Sequence, residues 1–419
     1  MKNYQPESYL LYDRPYNCRI RIELENPVDG ELLSKAANTA IKRYPYFKVY
    51  VAVTNEKYEL KPNDRPIVVY ETMKPNLSLG SEEVNGHMVS IDYSGNFIFF
   101  NVSHSIAGAS GMIPWIKSVL YLYLTEKYQV SLDPAGIRLP DSCLMPGETD
   151  FPKLQELENA EPFMEYNGGS GYFLSQDYRE AAQNPKAGGN GYYCMEIEQS
   201  EFMDYVREND SSPATIISVF MFKALDSLLG NDIPVITCGM AHNFQAQAGC
   251  PNSYMDFTRT LHLKYTRDMA DWPTDKLGTV TRGMVMVQSQ PENAIYDLRK
   301  LMEYHKKIDS FPTLEEKREY CRKNGKFIGA VRDTYNVSYA GKSDWGSLAP
   351  FIKSLYSITN GHLNIEINAI NGKFYICFLL VVSNKGYFEA FCNVLDREGI
   401  SYKIMDFFER NLPGTELPT

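Results

Sequence analysis

Residues 97–111, FIFFNVSHSIAGASG, give the strongest indication of the fold and of a functional site. An apolar strand leads to His104, one of only six histidines in 419 residues, and small residues follow it before the helical pattern MIPWIKSVLYLYL begins. A strand end fixes the position of a side chain, and small neighbours leave room for a ligand. Imidazole exchanges a proton near neutral pH, so His104 is a candidate general base. The alternative is a structural histidine that bonds to a backbone carbonyl.

The composition is that of a globular protein, and it argues against several function classes. Hydrophobic residues make up 44% of the chain and charged residues 22%, with a net charge of −10 and no basic run. This balance argues against binding to nucleic acid or to an anionic membrane surface. The eight cysteines form no C-x-x-C pair, and the histidines stand in no metal-ligand spacing.

The N-terminus, MKNYQPESYLLYDRP, lacks the apolar core of a signal peptide. No stretch approaches the ~18 apolar residues of a membrane helix. Together with the dispersed cysteines, these features predict a cytoplasmic protein with reduced thiols, no metal site and no membrane span.

The apolar periodicity predicts a mixed α/β chain in two halves. In the first half, CRIRIELE alternates like a half-buried strand, and a helix follows that Asn26 or Asp29 caps. The segment HMVSIDYSGNFIFFNVSHS predicts a hairpin that turns at 94–96, and Ser110 is a possible cap of the helix after it. In the second half, strands and helices alternate from YYCMEIEQ to SYKIMDF, with a hairpin through Asn371 and Gly372.

Between the halves lies a glycine-rich segment with little periodicity, YNGGSGYFLSQDYREAAQNPKAGGNGYY. We therefore divide the chain into a first lobe (1–165), a linker or crossover (166–190) and a second lobe (191–419).

The stretch FIFFNVSHSIAGASGM resembles the H-H-x-x-x-D-G region of the CoA-dependent acyltransferase superfamily. That superfamily includes chloramphenicol acetyltransferase, alcohol acetyltransferases, plant BAHD acyltransferases and the condensation domains of nonribosomal peptide synthetases. His104 falls on the second, catalytic histidine, Ser103 replaces the first, and Gly108 and Ala109 replace the aspartate and the glycine. The opening YLLYDRPYNCRIRIELENPVDGELLSKAANTAIKRYPYFKV is typical of bacterial alcohol-acetyltransferase-like members, and YNVSYAGK resembles a strand of their second half.

The resemblance implies an α/β fold of two chloramphenicol-acetyltransferase-like lobes, each a mixed sheet with helices, arranged as a V around a central tunnel. It implies acyl-CoA (acetyl-CoA) as co-substrate and a small-molecule alcohol or amine as acceptor, with no bound cofactor, metal or covalent acyl-enzyme. His104 would be the general base. Within NVSYAGKSDWG, the Ser338 hydroxyl or nearby backbone N–H groups would stabilise the tetrahedral oxyanion. The predicted substrate-binding residues are Ser103, Gly108, Ser110, Asn336, Tyr339 and His242.

The sequence departs from the family motif at Gly108. In the family the motif aspartate is structural and pairs with an arginine of the second half. Gly108 has no side chain for this pairing, and the region CGMAHNFQAQAGC, where the partner is expected, contains no arginine. Loss of both partners avoids an unpaired buried charge, so it is compatible with a folded site.

Three functions remain open from the sequence. The first is acyl transfer from acyl-CoA to an alcohol or amine. The second is a catalytically degenerate protein that binds a ligand, a carrier protein or another chain in the cleft between the lobes. The third is a condensation enzyme that takes its acyl group from a carrier protein.

Overall fold

The computed structural model describes most of the chain. The described residues are 10–11, 16–152, 157, 160–164, 171–172, 174, 191–229, 235–324, 333–339, 341, 343–359, 363–380, 385–409 and 411–418. Most of the predicted linker, 166–190, therefore lies outside the described residues, and the proposed boundaries of the two lobes stay predictions.

The described strands, in chain order, are β1 (Asn17–Leu24), β2 (Val49–Val53), β3 (Tyr58–Pro62), β4 (Val69–Glu71), β5 (Val89–Ser94), β6 (Phe97–Ser103), β7 (Gly191–Glu198), β8 (Val235–Asn243), β9 (Thr258–Thr266), β10 (Tyr335–Tyr339), β11 (Ile352–Thr359), β12 (Leu363–Ile370), β13 (Lys373–Leu380), β14 (Lys403–Ile404) and β15 (Phe408–Glu409). The described α-helices are α1 (Gly30–Ala40), α2 (Ala109–Tyr128), α3 (Gln199–Glu208), α4 (Pro213–Leu229), α5 (Thr274–Gln288), α6 (Pro291–Asp309), α7 (Leu314–Asn324) and α8 (Gly386–Arg397).

The first half forms a five-stranded mixed sheet in the order β11-β1-β6-β5-β4, with β2 and β3 as a separate hairpin. Strand β1 is antiparallel to β6, while β4 and β5 are parallel. Asp29 caps α1 by accepting hydrogen bonds from the backbone N–H groups of Glu31 and Leu32, as the sequence predicts. Helices α1 and α2 pack together over a core that includes Phe100 and Trp115, and this packing fixes the end of β6.

The second half forms a mixed sheet in the order β14-β7-β13-β12-β10-β8-β9, with β15 beside β7. Strand β10 is parallel to both of its neighbours, whereas the hairpin of β12 and β13 is antiparallel and turns at Asn371 and Gly372. Helices α4 and α8 pack against each other in a second apolar core with residues such as Phe220 and Phe391. The opposite face of β10 and β12 is polar and carries Ser338.

Strand β11 joins the two halves. It follows β10 in the chain but pairs with β1 of the first sheet, with Thr359 opposite Cys18. The C-terminal segment makes a second connection, because the Asn17 side-chain amide donates to the Pro413 carbonyl at 2.9 Å. The first sheet is therefore completed by a strand from the second half of the chain.

The structure confirms the mixed α/β class and most of the predicted elements, with three differences. Helix α2 begins at Ala109 with Gly108 as its N-cap, so the prediction that Ser110 caps this helix is wrong. Strand β11 and helix α7 were not predicted from the sequence. In the described part of the chain no single helix is long and apolar enough to cross a membrane; the bent pair α3 and α4 passes on length and composition alone.

Candidate active site

His104 lies in a tight turn directly after β6. Its backbone N–H donates to the Tyr16 carbonyl at 2.8 Å, and the Ile106 N–H donates to the Ser103 carbonyl at 3.1 Å. The Ser103 and Ser105 hydroxyls hydrogen-bond to each other at 2.8 Å, and both side chains are buried. The backbone that carries His104 is therefore fixed from both sides.

His104 as a whole residue is partly exposed, although the neighbouring residues are buried. The exposed ring of Tyr16 lies edge-on to it, with ring centroids 5.8 Å apart. Burial lowers the pKa of His104, while the negative charge of Asp256 and a hydrogen bond to the Ala107 backbone act in the opposite direction. A histidine with a lowered pKa is neutral near pH 7 and has a nitrogen lone pair that can accept a proton.

Asp256 lies against Gly108, although the two residues are far apart in the chain. A Cβ atom on Gly108 would lie 2.7 Å from Asp256 Oδ1 and 3.0 Å from its Cγ. The Asp256 side chain is buried, and its Oδ1 accepts the Thr258 backbone N–H at 2.8 Å. The space beside Gly108 is thus filled by a carboxylate from the second half of the chain.

Tyr254 anchors the same segment against the start of α2. Its ring stacks on Tyr46 with centroids 3.8 Å apart, and its backbone N–H donates to the Glu148 carbonyl at 2.9 Å. A Cβ atom on Gly111 would overlap the Tyr254 carbonyl oxygen, so this approach requires glycine. Gly108 and Gly111 therefore allow 254–256 to contact the N-terminus of α2 directly.

Glu148 stabilises the residues against which Tyr254 packs. The buried carboxylate accepts hydrogen bonds from Arg43 at 2.7 Å, Arg138 at 3.0 Å, the Tyr46 hydroxyl at 2.6 Å and the Met145 N–H at 2.7 Å. Burial alone would raise the pKa of Glu148, but these bonds outweigh it and lower the pKa from 4.5 to about 2. The carboxylate is ionised at neutral pH and fully paired.

Ser338 lies on the polar face of β10, opposite Glu366 of β12, and its side chain lowers the pKa of the Glu366 carboxyl group. The Thr359 hydroxyl donates to Glu366 Oε1 at 2.8 Å, and Asn364 donates to the Thr359 hydroxyl at 3.3 Å. Asn336 extends this network by donating to Asn364 Oδ1 at 3.0 Å. Of the predicted residues, the partly exposed Asn336 thus joins a polar network whose other members are buried, and the partly exposed Ser338 lies beside it.

Strand register places this network at the end of the first sheet that carries His104. Thr359 pairs with Cys18, and Cys18 pairs with Val102, two residues before His104. Neighbouring strands are spaced ~4.8 Å apart, so the Thr359 backbone lies about 10 Å from Val102.

Glu366 is a buried carboxyl group that titrates near neutral pH. Burial raises its pKa from 4.5 to about 7, although the hydrogen bonds with Thr359 and Ser338 reduce the shift. A protonated carboxyl group donates one hydrogen bond, and an ionised one only accepts. The protonation state of Glu366 therefore changes the hydrogen bonds that this carboxyl group can offer to its neighbours, Thr359 and Ser338.

The other predicted binding residues lie in different surroundings. Ser103 is fully buried, and Ser110 lies partly exposed in the first turn of α2. Tyr339 packs against Phe374 in the second core, on the face of β10 opposite Ser338. His242, near the end of β8, is partly buried beside Phe244. Their roles in binding stay predictions.

Sequence reasoning missed Asp256, Glu366 and Glu148. Asp256 lies after β8 outside any recognisable motif. The one signal in the sequence that points to it is Gly108, which stands where the family motif has an aspartate. Glu366 stands at a polar position of the alternating strand LNIEINAI, where it reads as a solvent-facing residue. Among the described residues, no group of three or more His, Cys, Asp or Glu side chains is arranged to hold a metal ion.

No protein-family model and no curated protein matches the sequence. Among solved structures, polyketide synthase associated protein 5 from Mycobacterium tuberculosis superposes with a TM-score of 0.59 at 10% identity, over 94% of this chain and 96% of that one. TRI101 of F. sporotrichioides, complexed with coenzyme A and T-2, gives 0.55 at 9% identity, over 96% and 97%. The epimerization domain from the third module of tyrocidine synthetase B gives 0.52 at 10% identity, over 91% of each chain.

At these identities the likeness establishes the fold rather than the reaction. It extends over nearly the full length of both chains in each comparison, so it covers both halves of the molecule. The chain has the mixed α/β fold of these solved structures, and this agrees with the fold that the resemblance around His104 predicted.

Proposed function

We propose that the protein is an acyltransferase that moves an acetyl or other acyl group from acyl-CoA to an alcohol or amine, with His104 as general base. The observation that carries this proposal is the partly exposed His104 directly after β6, whose imidazole has a lowered pKa and is neutral near pH 7. The likeness to a structure solved with coenzyme A supports the choice of donor.

The reaction follows from the chemistry of these groups. His104 takes the proton of the acceptor O–H or N–H while the acceptor heteroatom attacks the thioester carbonyl carbon. The resulting oxyanion accepts a hydrogen bond from the Ser338 hydroxyl. The carbon–sulfur bond then breaks, and the imidazolium returns its proton to the CoA thiolate. These reaction steps require no covalent acyl-enzyme intermediate.

The binding-only alternative rests on Ser103, on the replacement of the motif aspartate by Gly108 and on the missing arginine. Asp256 weakens that argument, because a carboxylate is present beside Gly108 after all. The likeness to the epimerization domain of tyrocidine synthetase B supports, as an alternative, a carrier protein as the acyl donor. A cytoplasmic location is part of the proposal and rests on the sequence.

A reaction screen tests the proposal. Wild-type protein is incubated with acetyl-CoA or longer acyl-CoA donors, or with an acylated carrier protein, and a mixed library of alcohols and amines. Mass spectrometry should detect acylated acceptors with a CoA donor. Products only from the loaded carrier would support the condensation reaction instead. Thermal stabilisation by CoA with no product from any donor would support the binding protein.

A further inference from the structure

Gly108 and Asp256 form a complementary pair across the two halves of the molecule. Gly108 has φ −84° and ψ −179°, an extended conformation that any residue adopts. The backbone therefore does not require glycine at this position. What excludes a side chain is Asp256, whose carboxyl oxygen, carboxyl carbon and Cβ all lie within 3.1 Å of where a Cβ of residue 108 would be.

Asp256 lies at the N-terminus of α2, where a negative charge is favourable. Gly108 is the N-cap of α2, a helix of 20 residues, and it contributes no side chain to the cap. Aspartate is among the preferred N-cap residues, and a negative charge at a helix N-terminus interacts favourably with the helix dipole. Asp256 places its carboxylate at this helix end from another segment of the chain.

The surroundings hold Asp256 in this position. Its Oδ1 accepts the Thr258 N–H, and Tyr254, two residues earlier, is fixed by the Tyr46 ring and the Glu148 carbonyl. Asp256 is 6% exposed, so its charge is poorly screened by water. Among the described residues, this carboxylate, the Tyr16 ring and the Ala107 backbone act on His104.

We propose that Asp256 is the positioning residue of the His104 turn and stands in for the aspartate that Gly108 lacks. The proposal rests on the acyl-transfer function for its catalytic consequence, but not for its effect on the imidazole. The Asp256 carboxylate fixes the start of α2 and favours the imidazolium that forms when His104 takes the acceptor proton.

The first test is Asp256→Asn, which keeps the Oδ1 acceptor for Thr258 and removes the charge. NMR titration of the His104 ring should show a lower pKa than in the wild type, because the imidazolium loses a neighbouring negative charge. The acid limb of the pH–rate profile should shift to lower pH by the same amount, and kcat should fall about 10- to 100-fold. An unchanged His104 pKa in the folded variant overturns the proposal.

The second test moves the carboxylate back. Gly108→Asp alone should lower the unfolding temperature, since its side chain meets Asp256. The double variant Gly108→Asp/Asp256→Gly should recover the His104 pKa and most of the activity. A folded double variant in which the pKa stays as low as in Asp256→Asn overturns the proposal. The NMR result does not depend on turnover, so an absence of acyl transfer by the wild type would count against the function alone.

Discussion

Ser338 stands opposite Glu366 in the register of the parallel strands β10 and β12, on the polar face of that sheet. This position sets the candidate oxyanion donor beside a buried acid whose pKa is raised to about 7. Glu366 accepts a hydrogen bond from the Thr359 hydroxyl of β11, the edge strand that completes the first sheet. Ser338 therefore lies beside a polar network that reaches the strand through which the second half of the chain joins the first sheet.

Glu366→Gln should change the pH dependence of stability. The folded-state pKa of Glu366 is raised from 4.5 to about 7, so the carboxyl group favours folding in its neutral form and this contribution is lost as pH rises between these values. The full shift corresponds to about 3 kcal/mol above pH 8. Urea unfolding at pH 5 and pH 8 should show that Gln gains stability relative to the wild type by roughly that amount at the higher pH.

The matched control for this measurement is Glu82→Gln, which replaces an exposed carboxylate that pairs with Arg65. The pKa of Glu82 is lowered by Arg65, so Glu82 is ionised at both pH values and its replacement should shift stability equally at pH 5 and pH 8. Equal shifts for Glu366→Gln as well would show that Glu366 does not titrate in this range.

Ser338→Ala should lower kcat by about 100-fold with little change in KM, because an oxyanion donor acts mainly in the transition state. Steady-state kinetics with the acceptor found in the screen measure this. The control is Ser357→Ala, which removes a hydroxyl of β11 that donates to Asn368 Oδ1 of β12 at 3.1 Å. A wild-type kcat for Ser338→Ala would remove this residue from the mechanism.

Gly111→Ala should destabilise the protein by about 1–3 kcal/mol, since the added methyl group overlaps the Tyr254 carbonyl. Gly283→Ala is the matched control. It lies within α5 and nothing stands within 4 Å of its Cβ position, so alanine should raise stability by about 0.5–1 kcal/mol. Chemical denaturation of both variants checks the pair. Equal behaviour of the two would mean that 254–256 does not pack against α2 as described.

Local patterns predict most of the fold. The alternation of CRIRIELE gives β1, Asp29 gives the start of α1, and the hairpins at 94–96 and at Asn371 and Gly372 form where the turn residues stand. Strand β11 escaped prediction because most of it is buried on both faces and its sequence, IKSLYSIT, lacks a clear alternation. Its pairing with β1 joins residues more than 300 positions apart, and such a long-range pairing cannot be predicted from local sequence patterns.

The candidate site could be predicted only where a motif marks it. His104 stands at a strand end before small residues, so it could be proposed as a candidate general base directly from the sequence. Those small residues were expected to leave room for ligand, yet at Gly108 and Gly111 the space is filled by 254–256. Asp256 contributes through tertiary contact alone. Asp256 comes from the other half of the chain, so it has no fixed spacing to the motif from which it could be recognised.

The role of His104 as general base is tested by the rate of CoA thiol release by His104→Ala beside the wild type, with the best donor and acceptor from the screen. His87→Gln serves as control, because the glutamine amide can replace the ring nitrogen that bonds to the Arg65 carbonyl at 2.9 Å. We expect kcat/KM to fall about 10²- to 10⁴-fold in His104→Ala while its unfolding temperature stays that of the wild type. The control His87→Gln should keep near wild-type activity. Wild-type turnover by folded His104→Ala would contradict it.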